Sequence, residues 1–333
     1  MARSFQRVLV TGGAGYVGSN LVPKLLAAGY QVSVLDLYIY CDDVFQRYEQ
    51  HPGLRQVRGD LRSPGDVQRA LEGCDAVIHL ACISNDPSFD LNPELGRSIN
   101  FDCFRPLVRA SKESGVRRFI YASSSSVYGT RSEASVTEDL ALLPLTDYSK
   151  FKALCEEVLL NEREPGFVVT ILRPATVCGY APRLRLDLTV NILTSLAVNL
   201  RRITVFGGDQ LRPNIHIEDM SDLYLRLLAA SDTEVDGKVW NAGYDNLKVS
   251  AIASLVRDKV GPDVEIAVTP TNDHRSYHVS SDRLRRDLGF AACRSVAQAV
   301  DDLKNAFDGG RVPNALSDPR YYNIKRMQGL NLR

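Results

Sequence analysis

VLVTGGAGYVGSNL, residues 8–21, decides how the chain is read. Val8, Leu9 and Val10 form an apolar run of the kind found in strands buried on both faces. Gly12, Gly13, Gly15 and Gly18 follow at once. Val17, Leu21, Leu25 and Leu26 then share one helical face, and Gly29 ends the pattern as a C-cap glycine does. A helix start presents unpaired N–H groups and a partial positive charge. A pyrophosphate settles there if no Cβ blocks the approach. Gly12 permits the tight turn, Gly15 the close approach and Gly18 the close packing of helix on strand. The spacing is G-x-x-G-x-x-G rather than G-x-G-x-x-G. A plain turn between strand and helix also collects glycines. The context that favours dinucleotide binding is the strand before, the helix after, and Asp36 at the end of the next strand. A carboxylate there accepts hydrogen bonds from the adenosine ribose and repels a 2′-phosphate, which favours NAD over NADP.

The same rhythm repeats. QVSVLD (31–36), DAVIHL (75–80), RFIYAS (118–123) and FVVTILR (167–173) are short, barely alternating apolar runs separated by stretches of helical spacing. Strand and helix in alternation predict an α/β, Rossmann-type doubly wound parallel sheet. After residue 173 the rhythm loosens. A helix is expected over 188–200 and a strand over 264–268, while 215–230 and 238–243 read as returning sheet elements. The expected organisation is a dinucleotide-binding domain over 1–173 with returning segments at about 214–243. A smaller, interleaved α/β substrate lobe spans 174–213 and 244–315, and a loose tail runs from 316 to 333.

Two further strand ends fit the same pocket, and each also fits a simple loop start. Asp60 and Leu61 follow the third strand, where a side chain can face the adenine. Leu80, Ala81 and Cys82 follow the fourth, where small residues let a cofactor pass.

Composition narrows the partners. The 333 residues carry 40 Lys+Arg and 40 Asp+Glu, so no basic excess points to nucleic acid. No apolar run is long enough to span a membrane and no signal-like segment opens the sequence. The seven cysteines are scattered without a C-x-x-C pair, so no metal site is expected and reduced thiols in the cytoplasm are.

Alcohol oxidation by a nicotinamide needs a group to take the hydroxyl proton. Tyr148 and Lys152, four apart in YSKFK, share one helical face. A neighbouring ammonium and a positive nicotinamide ring are expected to lower the phenol from its reference value of about 10. An exposed helix pair has the same spacing. The run Ser123–Ser126 ends the fifth strand and can supply a hydroxyl to the reacting oxygen; a polar loop would read the same.

Taken together, TGGAGYVG, Asp36, GDL (59–61), HLAC, Asn100, SSSSVYG, YSKFK, RPATVCG and RPNIHIEDM resemble the extended short-chain dehydrogenase/reductase family, specifically its NAD-dependent nucleotide-sugar epimerases and dehydratases. The resemblance implies catalytic roles for Ser124, Tyr148 and Lys152. It implies an NAD site drawing on Gly12, Gly15, Tyr16, Val17, Asp36, Asp60, Leu61, Leu80, Ala81, Cys82, Asn100 and Ser123, with Tyr148 and Lys152. It implies substrate contacts from Ser124 and Ser125, and diphosphate contacts from Asn191, Arg212 and Arg275, although arginines also make surface salt bridges. The family's 4,6-dehydratases carry Asp-Glu just after the catalytic Thr. Here Ser125 and Ser126 stand there, which argues against dehydration. Cys82 and Cys178 replace an alanine and a tyrosine of the family pattern. APRLRLDLTVN (181–191) is more basic than is usual and resembles a subgroup acting on nucleotide-linked sugars and heptoses.

The expected function is therefore an NAD-dependent nucleotide-sugar C4 epimerase. A dehydrogenase or reductase of the same sugars would use the same residues, and a non-catalytic NAD-binding protein could keep the fold. The resemblance also implies a homodimer through 98–114 and 147–162. Leu107, Val108, Ala110, Leu154, Val158 and Leu159 would supply its apolar face, or would face the sheet instead.

Overall fold

The computed structural model describes residues 5–131, 133–271 and 278–330. In chain order its strands are β1 (Arg7–Thr11), β2 (Gln31–Asp36), β3 (Leu54–Arg58), β4 (Ala76–His79), β5 (Arg118–Ala122) and β6 (Val168–Pro174). They continue with β7 (Thr176–Cys178), β8 (Arg202–Phe206), β9 (Leu211–His216), β10 (Lys238–Ala242), β11 (Asp245–Lys248) and β12 (Glu265–Thr269). Seven of them form one sheet in the order β10-β6-β5-β4-β1-β2-β3, with every neighbouring pair parallel. The order turns back between β1 and β4, so a crevice opens beyond the carboxyl ends of these two strands.

Both sheet faces are covered, which is why its strands read as apolar runs. Val8 and Val10 point into a core shared with helices Tyr16–Ala27 and Ile217–Ala229, while Leu9, between them, joins Val77, Phe119 and Tyr121 in the core on the opposite face. That second core is closed by helices Pro64–Leu71, Phe104–Glu113 and Asp147–Asn161. Each fully buried Val or Leu contributes about 1.5–3 kcal/mol to folding. A third core, around Leu193, Ile203, Ile252 and Val300, joins helices Thr189–Leu200, Val249–Val260 and Val296–Asp308 to the two-stranded sheet β12-β8. A small sheet, β11-β9-β7, lies between these bodies.

The two bodies are joined at the first helix. Tyr16 donates its hydroxyl to the Gly179 carbonyl at 2.6 Å. Within the sheet-bearing body, Lys24 pairs with Glu218 and Asp222 of helix Ile217–Ala229. Residues 319–328 are not a loose tail. A short turn (Pro319–Tyr321) and a helix (Asn323–Gln328) fold back over the crevice. Met327 packs among Ile83, Leu95 and Ile99, and Arg326 donates to the Ile39 carbonyl. Too short and polar to show a periodic pattern, this segment is held by tertiary contacts.

The segment expected as one helix from 98 to 114 opens with a π turn, Ser98–Asp102, and becomes α-helical at Phe104. Leu107, Val108 and Leu159 are buried on the sheet side, with Ala110 and Val158 beside them, whereas Leu154 faces outward. No helix among the described residues is long and apolar enough to cross a membrane.

At the switch point, His79 is buried, with Nδ1 2.7 Å from Thr11 Oγ1 and its ring stacked on Tyr121. Burial, with Lys152 adding to it, pushes its pKa from 6.5 down to about 3. Between those values the unfolded chain binds the proton that the folded chain refuses. This contribution is therefore lost as pH falls below about 6.5, by up to about 1.4 kcal/mol per pH unit. Urea unfolding of wild type and His79→Asn between pH 7 and pH 4 should show a shallower acid-side decline for the variant; parallel curves would refute this.

Candidate active site

The crevice is a cavity of about 730 Å³. Its floor is the glycine turn. Gly12 has φ +70°, and a Cβ there would lie 2.6 Å from the backbone of Ala81. A Cβ on Gly18 would sit 2.5 Å from the Gly13 Cα. Those two glycines are demanded by the protein's own packing. Gly15 is different: a Cβ would meet only the Gly12 carbonyl, at 3.1 Å, yet Gly15 lines the cavity. It also caps helix Tyr16–Ala27 without a side-chain hydrogen bond, leaving first-turn N–H groups for a ligand. The space a Cβ would fill opens on the cavity at the start of this helix.

Asp36, at the end of β2, also lines the cavity. Burial raises its pKa, against hydrogen bonds from the Tyr38 and Ala14 N–H groups at 2.8 and 3.0 Å. A carboxylate so placed suits ribose hydroxyls. Val17, Leu61, Leu80, Ala81 and Cys82 contribute cavity wall. Asp60 lines it too, but its carboxylate is held by Arg62 at 2.7 Å. Burial would raise Asp60; the bonds from Arg62 outweigh it and keep the group below its usual range.

The chemistry-bearing end is built by β5 and the helix after it. A capping box between Thr146 and Ser149 starts helix Asp147–Asn161, which places Tyr148 in its first turn and Lys152 one turn on. Tyr148, Lys152, Ser123, Ser124 and Ser125 all line the cavity. Ser124 shares a hydrogen bond with Tyr148 and accepts one from Ser126 Oγ at 2.8 Å. Burial pushes the Tyr148 phenol well above its ordinary value, and the Ser124 bond and the Arg185 charge only partly offset this. The expected lowering drew on Lys152 together with a nicotinamide ring. The ammonium donates to the Ala122 carbonyl at 2.6 Å and lies 5.9 Å from the Tyr148 ring centre.

Other residues expected at the site are engaged within the protein. Ser123 turns its hydroxyl to Glu156 at 2.5 Å, and Glu156 is paired with Arg173. Asn100 is placed inward by the π turn and bonds both backbone groups of Ile83, so it shapes the wall without lining it. Asn191 is wholly buried and bonds Gly179, Arg185 and the Tyr16 hydroxyl, so it is spent before any diphosphate arrives. The Tyr16 hydroxyl is likewise committed. Arg212 lines the cavity from β9. Arg275 lies outside the described residues.

Several cavity residues were not singled out from the sequence. Asn85 holds φ 74°, ψ 156°, a region nearly confined to glycine, and caps the next turn through a 3.0 Å bond from the Ser88 N–H. Asp86 beside it accepts a bond from Thr146 at 2.5 Å. Arg183, Arg185 and Asp187 come from the basic stretch, and Asn323 from the C-terminal helix. Only the first group had a visible signal, its density of arginines.

Gly15 at the helix start, Asp36, Ser124, Tyr148 and Lys152 line one cavity, an arrangement suited to nicotinamide chemistry. The chain belongs to the NAD dependent epimerase/dehydratase family, whose model matches residues 8–243. It is 30% identical over 307 residues to a dTDP-glucose 4,6-dehydratase of Streptomyces griseus, covering 88% of this chain and 91% of that one. It is 28% identical over 323 residues to a UDP-glucose 4-epimerase of Lactobacillus helveticus, covering 89% and 94%. A structure of MoeE5 in complex with UDP-glucuronic acid and NAD superposes with a TM-score of 0.79 at 27% identity, covering 91% of this chain and 99% of that one. The cofactor is NAD, and the residues of the cleft fit it.

The buried Glu156–Arg173 pair fixes the helix that carries Tyr148. Removing one charge leaves the other buried and alone, at a cost of roughly 3–5 kcal/mol. Glu156→Ala should therefore lower the urea-unfolding free energy by that amount, and a loss under 1 kcal/mol would contradict the role.

Proposed function

We propose that the protein is a nucleotide-sugar epimerase acting at C4 through a transient 4-keto sugar. The observation that carries this reading is the grouping of Ser124, Tyr148 and Lys152 on the cavity that also holds the glycine cradle and Asp36. NAD bound there supplies a hydride acceptor and donor. As the phenolate, Tyr148 takes the proton of the sugar 4-hydroxyl and later returns it. Ser124, hydrogen-bonded to Tyr148, orients the same oxygen. Because burial holds the phenol high, proton abstraction needs positive charge to draw near. Lys152 and Arg185 are the chain's own cations in reach.

Dehydration is disfavoured because Ser125 and Ser126, which follow Ser124, cannot act as carboxyl acid and base. Asp86, the nearby cavity carboxylate, is engaged by Thr146. Substrate contacts are assigned to Ser124, Ser125 and Arg212, and pairing of two copies through helices Phe104–Glu113 and Asp147–Asn161 fits the outward Leu154. A cytoplasmic setting agrees with seven unpaired cysteines.

The test is incubation with NAD and UDP-, GDP-, ADP- and dTDP-sugars, read by sugar NMR and NADH absorbance together. A new stereoisomer without net NADH is expected. A keto sugar with matching NADH would make the enzyme a dehydrogenase instead. Tyr148→Phe should lower the rate by a factor of about 10²–10⁴, and full activity in that variant would sink the mechanism.

A further inference from the structure

Arg183 and Arg185 bring two guanidinium groups from the second lobe into the NAD cleft. Arg183 is 3% exposed, and its Nε has no hydrogen-bond partner among the described residues. One terminal nitrogen donates to Asn323 Oδ1, and the guanidinium lies 4.0 Å from the centre of the Tyr40 ring. No carboxylate of the described residues is within ion-pair distance of it; Asp187, the local acid, is taken by Arg185 at 2.9 Å. Burial, with Arg185 adding to it, pushes the Arg183 pKa down to about 10. A buried cation lacking a counter-charge is costly unless a ligand supplies one.

Position says which ligand. The Arg183 N–H donates to Ser19 Oγ at 3.2 Å, on the first turns of the helix whose N-terminus forms the diphosphate seat. Asp36, the ribose carboxylate, and Tyr40 lie on the same side. Arg185 points to Ser84 and towards Tyr148, at the chemistry-bearing end.

We infer that Arg183 is a cofactor-binding residue supplied by the second lobe, closing on the NAD diphosphate opposite the glycine turn. Asn323 is its positioning residue. Besides holding Arg183, Asn323 donates to Ser84 Oγ at 3.0 Å and receives Arg183 while its own N–H is fixed on Asp187 at 3.0 Å. The C-terminal helix thus fixes the arginine over the cleft. A guanidinium matches a diphosphate in charge and in its planar donor fork. The assignment concerns the NAD site alone and does not depend on which sugar reaction follows.

NADH fluorescence titration tests this without substrate, with UDP and dTDP as probes of the other diphosphate that can enter the cavity. Arg183→Met should weaken NADH binding at least about tenfold and flatten its salt dependence, with UDP and dTDP affinity changed less than about twofold. Arg183→Lys should recover part of the loss, and Asn323→Ala should weaken NADH by about threefold. NADH affinity of Arg183→Met within about twofold of wild type would overturn the assignment. So would a selective loss of UDP or dTDP binding, which would give the arginine to the substrate. If Arg183→Met does not fold, unchanged NADH affinity and salt dependence in both Arg183→Lys and Asn323→Ala would overturn it equally.

Discussion

The site depends on one buried ion pair. Glu156 and Arg173 lie under the sheet's carboxyl edge, almost without exposure, with their closest atoms 2.6 Å apart. Charges taken out of water must be matched nearly atom for atom. Here the matching is extended: Ser123 donates to Glu156, Arg173 donates to the Tyr128 hydroxyl, and that hydroxyl donates to Asn241 on β10. The network spans the loop after β5, strands β6 and β10, and helix Asp147–Asn161. Sliding that helix by a turn would strand two buried charges. The position of Tyr148 is therefore set by electrostatics beneath it, not by the weak amphipathicity of its own helix.

Most of the sheet was legible because parallel strands buried on both faces leave unbroken apolar runs. β3, Leu54–Arg58, was read only as the strand before Asp60, without bounds, since it forms the sheet edge and carries Arg55, Gln56 and Arg58 in place of an apolar run. The glycine turn was legible because backbone closeness leaves a signature in residue type. What escaped was whatever depends on a partner distant in sequence. Nothing near Lys152 shows that its ammonium will cap the Ala122 carbonyl. Nothing near Asn191 shows that Tyr16 and Gly179 will consume its amide. Asn323 sits in a polar stretch whose fold is dictated wholly by Asp187, Ser84 and Arg183.

The two bodies of the molecule meet over the ligand rather than beside it. Tyr16, at the start of the diphosphate-binding helix, is tied by its hydroxyl to Gly179 and Asn191 of the other body. Lys24, two turns on, is tied to Glu218 and Asp222. The first turn of this helix is thus held by the other body and its later turns by the neighbouring helix Ile217–Ala229 of its own. The same enclosure excludes water from Tyr148 and accounts for the high affinity of its phenol for a proton.

The C-terminal helix also sets an order of assembly. During synthesis the glycine turn, β1 to β6 and the helix of Tyr148 emerge well before Asn323. N-terminal segments fold first as a chain grows. β10, which completes the sheet beyond β6, and Met327, which packs on Ile83, arrive afterwards. The nascent sheet consequently exposes its crevice with the wall from Ile39 to Ser84 unpinned. In that order of folding, the contacts of Met327 and Asn323 are the last to close the groove.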